Sequence, residues 1–174
     1  MLLPLGGAVL KASGIPWADF RSLVTGPRAA AAFRLSLTAA FGAALVNAVF
    51  GFIAAWVLVR YSFPGRRLVD ALVDLPFALP TSVAGIALTA LFARHGWIGA
   101  WLEPLGIRVA FTPLGVMLAL VFIGLPFTVR TVQPVIADLD REAELAAVSL
   151  GASPWQTFRR VTFPALWPAV LTGF

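Results

Sequence analysis

The chain has 174 residues, 60% of them hydrophobic and only 12% charged, too few charges to cover the surface of a soluble domain, so the composition is that of a bilayer protein. With no cysteine and a single histidine, His95, it excludes a disulfide framework, a thiolate metal site and thiol catalysis, and leaves little room for haem or zinc. The net charge of +5 comes from thirteen Lys and Arg scattered between apolar runs, which points to membrane flanking and not to nucleic acid.

Met1–Leu10 has no positive leader and no cleavage site, and it is too short to cross a bilayer, which takes about 20 residues. It reads as the truncated end of a transmembrane helix. Residues 11–34 are mixed, with turn formers at Gly14, Pro16, Gly26 and Pro27, and with Trp17 and Phe20 as interface anchors. The first full span is predicted over Leu35–Val59, roughly 37 Å at 1.5 Å per residue. It carries small residues at four-residue spacing: Ser36, Ala40, Ala44 and Ala48 on one ridge, then Ala39, Ala43, Asn47, Gly51 and Ala55 on the next. Such ridges let helix backbones approach closely where lipid offers no hydrophobic drive for association. Asn47 either lines a pathway or bonds a neighbouring helix.

Arg60–Asp70 is a short polar link around the Pro64-Gly65 turn, with Arg66 and Arg67 beside it. A second span, 71–93, is interrupted by Pro76 and Pro80. Arg94–Thr112 is a loop with Gly96, Gly99, Pro104 and Gly106, and with Trp97 and Trp101 as interface candidates. A third span, 114–129, is short and broken near its end by Gly124 and Pro126. Residues 130–163 form the longest polar stretch, holding four of the eight acids, and 164–174 reads as the start of another apolar helix. If the two polar links share a side, that side has seven Lys or Arg against six opposite, a difference too small to set orientation.

Within that stretch, Asp140–Pro164 reads as two short helices joined by a glycine. Asp140 is an N-cap, and Glu142 and Glu144 follow in the first turn, where carboxylates suit the helix dipole. Leu139, Ala143, Ala146, Ala147 and Leu150 make one apolar face, and Gly151 is placed to end the helix in a left-handed cap. Ser153 then caps the next helix, with Pro154 at its first position and Gln156 as reciprocal partner in a capping box. Arg159 and Arg160 occupy its favourable dipole end, and Pro164 is expected to stop it. The result is a stiff elbow with an apolar rim of Trp155, Phe158 and Val161, suited to docking on a partner or to lying on the membrane surface.

The spacing resembles a family signature. Bacterial ABC importer permeases carry a cytoplasmic loop of the form E-A-A, three residues, G, nine residues, I-x-L-P. Ala146-Ala147, Gly151, Val161 and Phe163-Pro164 match it in order and interval, while Leu145 stands at the glutamate position, with Glu144 and Glu142 just upstream. WVLVRYSFPG (56–65), DLPFALPTSVAG (74–85), LPFTVRTVQP (125–134) and LGASPWQTFRR (150–160) are further similar to sulfate/thiosulfate permeases of the CysT type.

The resemblance implies an all-α, polytopic transmembrane helix bundle of the importer permease type, truncated at both ends and lodged in the bacterial inner membrane. It places 130–163 in the cytoplasm as the coupling loop and 11–34 on the other side. It also implies partners: a second permease subunit, a cytoplasmic ATPase dimer that binds ATP and magnesium, and a periplasmic binding protein. The chain itself has no phosphate-binding GxxxxGK[ST] loop, and no catalytic, metal or cofactor site is expected in it. The residues implied to couple to the ATPase are Glu142, Glu144, Ala146, Ala147, Gly151, Ser153, Pro154, Trp155, Phe158, Val161 and Pro164.

For the anion path the candidates are Asn47 and Pro80-Thr81-Ser82. The latter is either a half-helix start whose N–H groups and hydroxyls attract an anion, or a kink whose hydroxyls bond their own backbone. Asp74, the one carboxylate in an apolar run, is expected to cap a helix or pair with Arg66 or Arg67. Other readings are a permease for another oxyanion such as molybdate, and a membrane enzyme or electron carrier. The latter is disfavoured by the lack of intramembrane His, Cys or carboxylate pairs.

Overall fold

The computed structural model describes Gly6, Gly7, Lys11, Gly14 and residues 16–173. Among the described residues there are helices and turns and no strand. The expectation for Met1–Leu10 falls largely outside them. The chain divides into two compact units, Met1–Thr38 and Ala39–Phe174.

In the first unit, α1 (Trp17–Thr25) starts after Pro16 and ends where Gly26 turns extended, and the Trp17 and Phe20 rings stack at 5.5 Å. Helix α2 (Pro27–Arg60) begins here, at Pro27 and not at Leu35. Proline at the first helical position sacrifices no hydrogen bond, and the alanine run that follows, Ala29–Ala32, favours helix.

In the second unit, α2 buries Ala39, Ala43, Asn47, Gly51, Ala55 and Leu58. The first five are the second small-residue ridge named above, and this ridge meets α7 (Pro113–Ala137). A Cβ added to Gly51 would lie 2.9 Å from the Cβ of Thr128, and one added to Gly124 would strike the Asn47 amide. Glycine is therefore favoured where the two helices approach, most strongly at Gly51, since at Gly124 only the end of the Asn47 side chain would have to move. Asn47 is buried here, at 4% exposure, as a packing residue of the crossing.

The expected second span is three separate pieces: α3 (Arg66–Val73), α4 (Leu75–Ala78) and α5 (Thr81–Phe92). Leu79, held extended (φ −95°, ψ 131°) ahead of Pro80, makes the second break, as the clash of a proline ring with the preceding residue demands. The turns that follow hold α6 (Gly99–Leu102) and a 3₁₀ turn, Glu103–Leu105, with Arg94 paired to Glu103 at 2.5 Å.

The third span differs from expectation in the opposite sense. Helix α7 does not break at Gly124 or Pro126; it continues through Pro126 and Pro134 to Ala137. Pro126 is buried, and downstream of it Val129, Val132 and Ile136 pack with Leu166, Ala169 and Val170 of α10 (Phe163–Gly173). That packing outweighs the two hydrogen bonds that the prolines remove. Thr128 adds a tie by donating to the Gly173 carbonyl at 2.8 Å. Among the described residues, α2 and α7 are the helices long and apolar enough to cross a membrane, whereas α5 has 12 residues.

Candidate functional site

Residues 140–162 form the elbow. Helix α8 (Arg141–Ser149) starts at Asp140, whose carboxylate accepts the Glu142 N–H at 2.8 Å. It ends in a Schellman turn: the Gly151 N–H reaches the Val148 carbonyl at 2.9 Å and the Ala152 N–H the Ala147 carbonyl at 3.0 Å. Gly151 has φ +84°, a region that costs an L-residue roughly 1–2 kcal/mol. Helix α9 (Pro154–Thr157) opens with the complete capping box, Ser153 Oγ accepting from the Gln156 N–H and Gln156 Oε1 from the Ser153 N–H. Both caps are local, and both follow from the residue types.

Helix α9 does not stop at Pro164. It passes through a π turn, Phe158–Thr162, directly into α10. In that turn the Phe163 N–H bonds the Phe158 carbonyl. A continuous α-helix would set the Pro164 ring against the carbonyl four residues back, and the wider turn relieves that clash. The turn also directs Phe158 inward. Its ring meets Trp56 edge-on at 5.7 Å and lies 6.3 Å from Phe52, both on α2, and 5.8 Å from Phe163. Phe158 is thus an internal hub, not part of an outer rim, and Val161 is half-buried. Trp155, stacked on the other side of Phe158 at 5.7 Å, is 67% exposed.

The acids divide likewise. Glu142 is exposed, but Glu144 turns into the molecule. Both its oxygens accept from the Arg60 guanidinium at the last residue of α2, Nη1 at 3.0 Å and Nη2 in a shorter contact. Thr162 Oγ1 donates to the same carboxylate at 3.0 Å. Arg60 in turn lies over the Trp56 ring, 4.9 Å from its centroid. Beside this cluster runs a groove of about 450 Å³ whose lining includes Trp56, Arg141, Val148 and Thr157. The outer edge of α8 and its cap is apolar: Leu145, Val148 and Leu150 are all exposed. Leu145 stands where the signature has glutamate, so at this site a carboxylate reaches inward from the neighbouring position and a leucine faces out. Ala146 is exposed, and Ala147 half-buried.

A second charged cluster joins α3 and the α3–α4 junction to α7. Arg130 grips Asp74 with Nε at 2.9 Å and Nη2 at 2.5 Å, and donates through Nη1 to Asp70 at 2.8 Å and to Gln133 at 2.6 Å. Asp74 thus pairs with Arg130, not with Arg66 or Arg67, because α7 carries on past Val129 and brings its arginine alongside. Burial alone would raise the Asp70 carboxyl. The hydrogen bonds from Arg130 and Gln133, with the charges of Arg130 and Arg66, outweigh this and hold it below the ordinary carboxylate value. With two carboxylates on it, Arg130 is not free to hold an anion. The anion-path candidates do not share one environment: Asn47 is buried against α7, while Pro80, Thr81 and Ser82 are exposed at the start of α5.

Arg60, Thr162, Arg130 and Asp70 escaped the sequence reading. The available signal was an arginine at or inside the end of an apolar run, which calls for a partner. No spacing rule links it to an acid 84 or 56 residues away.

Residues 47–174, which contain this elbow, match the family described as the binding-protein-dependent transport system inner membrane component. The chain belongs to this family. It is 57% identical over 173 residues to a probable sulfate transport system permease protein cysT of Nephroselmis olivacea, covering 99% of this chain and 61% of that protein. A protein of the same name in Chlorokybus atmophyticus is 50% identical over 99% of this chain and 60% of its own length. The sulfate transport system permease protein CysT of Escherichia coli K12 is 48% identical, over 99% and 62%. The chain spans about three-fifths of the length of these curated relatives. Membership makes it an inner membrane component, in keeping with the two long apolar helices.

Proposed function

We propose that the chain is part of the multi-pass permease subunit of an ATP-driven importer that carries sulfate, and thiosulfate with it, into the cytoplasm. The observation that carries this is the elbow: two short helices, each capped by its own side chains, joined at a left-handed glycine and presenting Leu145, Val148, Leu150 and Trp155 outward. A connector between spans needs no such stiffness, whereas a lever does, since a soft one absorbs displacement. The partners are a second permease subunit, two ATPase subunits that bind ATP and magnesium, and a periplasmic binding protein. The family description, which names a binding-protein-dependent transport system, supports the binding protein and the ATPase. The names of the relatives favour sulfate over another oxyanion such as molybdate.

In this mechanism the exposed edge of the elbow seats on the ATPase, and closure of the ATPase pair displaces two elbows and turns the pore outward. The contact is mainly apolar, because Glu144 is engaged within the chain. The test is uptake of labelled sulfate by the assembled transporter in proteoliposomes, with thiosulfate and molybdate as competitors, alongside ATP hydrolysis. Thiosulfate should block uptake and molybdate should not. Gly151→Pro, which cannot hold φ +84°, and Trp155→Asp should each cut transport per ATP about tenfold. Molybdate accumulation in place of sulfate would overturn the substrate, and unchanged coupling in both variants would overturn the role of the elbow.

A further inference from the structure

We infer that Arg60, Glu144 and Thr162 form an internal fastener that makes the elbow and the end of α2 move as one body; this rests on the proposed coupling role of the elbow. The Glu144 carboxylate is the meeting point of three elements. It belongs to α8, takes both terminal nitrogens of Arg60 at the end of α2, and takes the hydroxyl of Thr162 in the π turn that leads into α10. The signature position for the acid, Leu145, faces outward, so the acid in this chain serves the chain and not a partner.

Three features make the arrangement a tie and not a chance surface pair. The side chains are largely shielded, Arg60 at 15% exposure and Glu144 at 22%, and Thr162 is buried at 2%. A two-nitrogen, two-oxygen contact fixes orientation as well as distance, which a single-point pair does not. Finally, Arg60 rests on Trp56, and Trp56 meets Phe158 at the start of the π turn, so an aromatic bridge runs beside the polar one. The two bridges leave α8 and the π turn no independent hinge relative to α2. The π turn serves the same end, since it sets Thr162 toward Glu144 while Pro164 is accommodated. Arg60, Glu144 and Thr162 are thus positioning residues: displacement received at the exposed edge passes through them to a helix long enough to span the membrane.

The chain has no cysteine, so within it an introduced pair of thiols has no competing site. The parent transporter taken through the same linking and reduction controls for thiols elsewhere in the assembly. The experiment is Arg60→Cys with Glu144→Cys in the assembled transporter in proteoliposomes. Transport per ATP is measured before linking, after linking with a short reducible bis-methanethiosulfonate, and after reduction, with Gly151→Pro in parallel. Unlinked, the pair should lose about tenfold in transport per ATP; linked, it should return to within about threefold of the parent, and reduction should undo the gain. One sample passes through all three states, so a folding defect cannot produce the pattern. An unlinked pair that couples like the parent, or a link that restores nothing, overturns the fastener. If Gly151→Pro still uncouples, that failure leaves the elbow reading standing. If Gly151→Pro and Trp155→Asp, run in parallel, both couple normally, the elbow reading falls as well.

Discussion

Arg60 and Arg130 each tie a short helical segment to a long apolar helix, but in different surroundings. Arg60 has one carboxylate, a hydroxyl on that carboxylate and an indole beneath it, with side-chain exposures of 15% and 22% for the ion pair. Arg130 has two carboxylates and an amide, yet the exposures are 34% for the arginine and 43% and 46% for Asp70 and Asp74. Counting partners would rank Arg130 as the stronger tie. Solvent reverses the ranking: water and salt screen the open cluster, whereas removing one member of the shielded pair strands the other without hydration. The Arg60 ion pair is accordingly the stronger of the two electrostatic ties.

The comparison can be broken by mutation. The largest expected loss is Arg60→Ala, about 2–3 kcal/mol, somewhat under the range for wholly buried pairs because the Glu144 side chain keeps some water. Arg130→Ala should cost about 1 kcal/mol, most of it from the two aspartates left facing each other. Thermal unfolding of the purified protein in detergent reads both, and equal losses would remove the distinction. Raising salt from about 0.05 M to about 1 M should halve the Arg130→Ala effect and leave Arg60→Ala nearly unchanged, because the Debye length falls to roughly 3 Å. The smallest effect is that of acid on Asp70. Its carboxyl titrates below the ordinary value when folded, so the stabilisation is present above about pH 4 and is lost as pH falls through the folded value. Asp70→Asn should therefore flatten the acid limb of a stability curve by a few tenths of a kcal/mol, and an unaltered limb would count against the cluster.

Some of the site was legible because its causes lie within a few residues. Asp140, Gly151, Ser153, Pro154 and Gln156 cap the elbow as their types dictate, since a cap joins a side chain to backbone no more than three positions away. The buried ridge Ala39–Ala55 was legible for a related reason: four-residue spacing alone decides which small residues share a helix face. Reading proline as a stop failed at Pro126 and Pro164 and held at Pro80. The difference lies outside the local sequence. After Pro126 the helix is kept by packing on Leu166, Ala169 and Val170, and before Pro164 a π turn absorbs the ring, but at Pro80 the preceding residue goes extended.

By itself, then, the sequence determined an all-α membrane chain, the small-residue face of α2 and the capped elbow. Each of these rests on composition, on helical periodicity or on hydrogen bonds between near neighbours. Only the tertiary structure decided that Glu144 turns to Arg60 and Leu145 outward, that Phe158 packs on α2, and that Asp74 belongs to Arg130. Those pairings join residues far apart in the chain, and they are set by where whole helices pass one another, which no local spacing encodes.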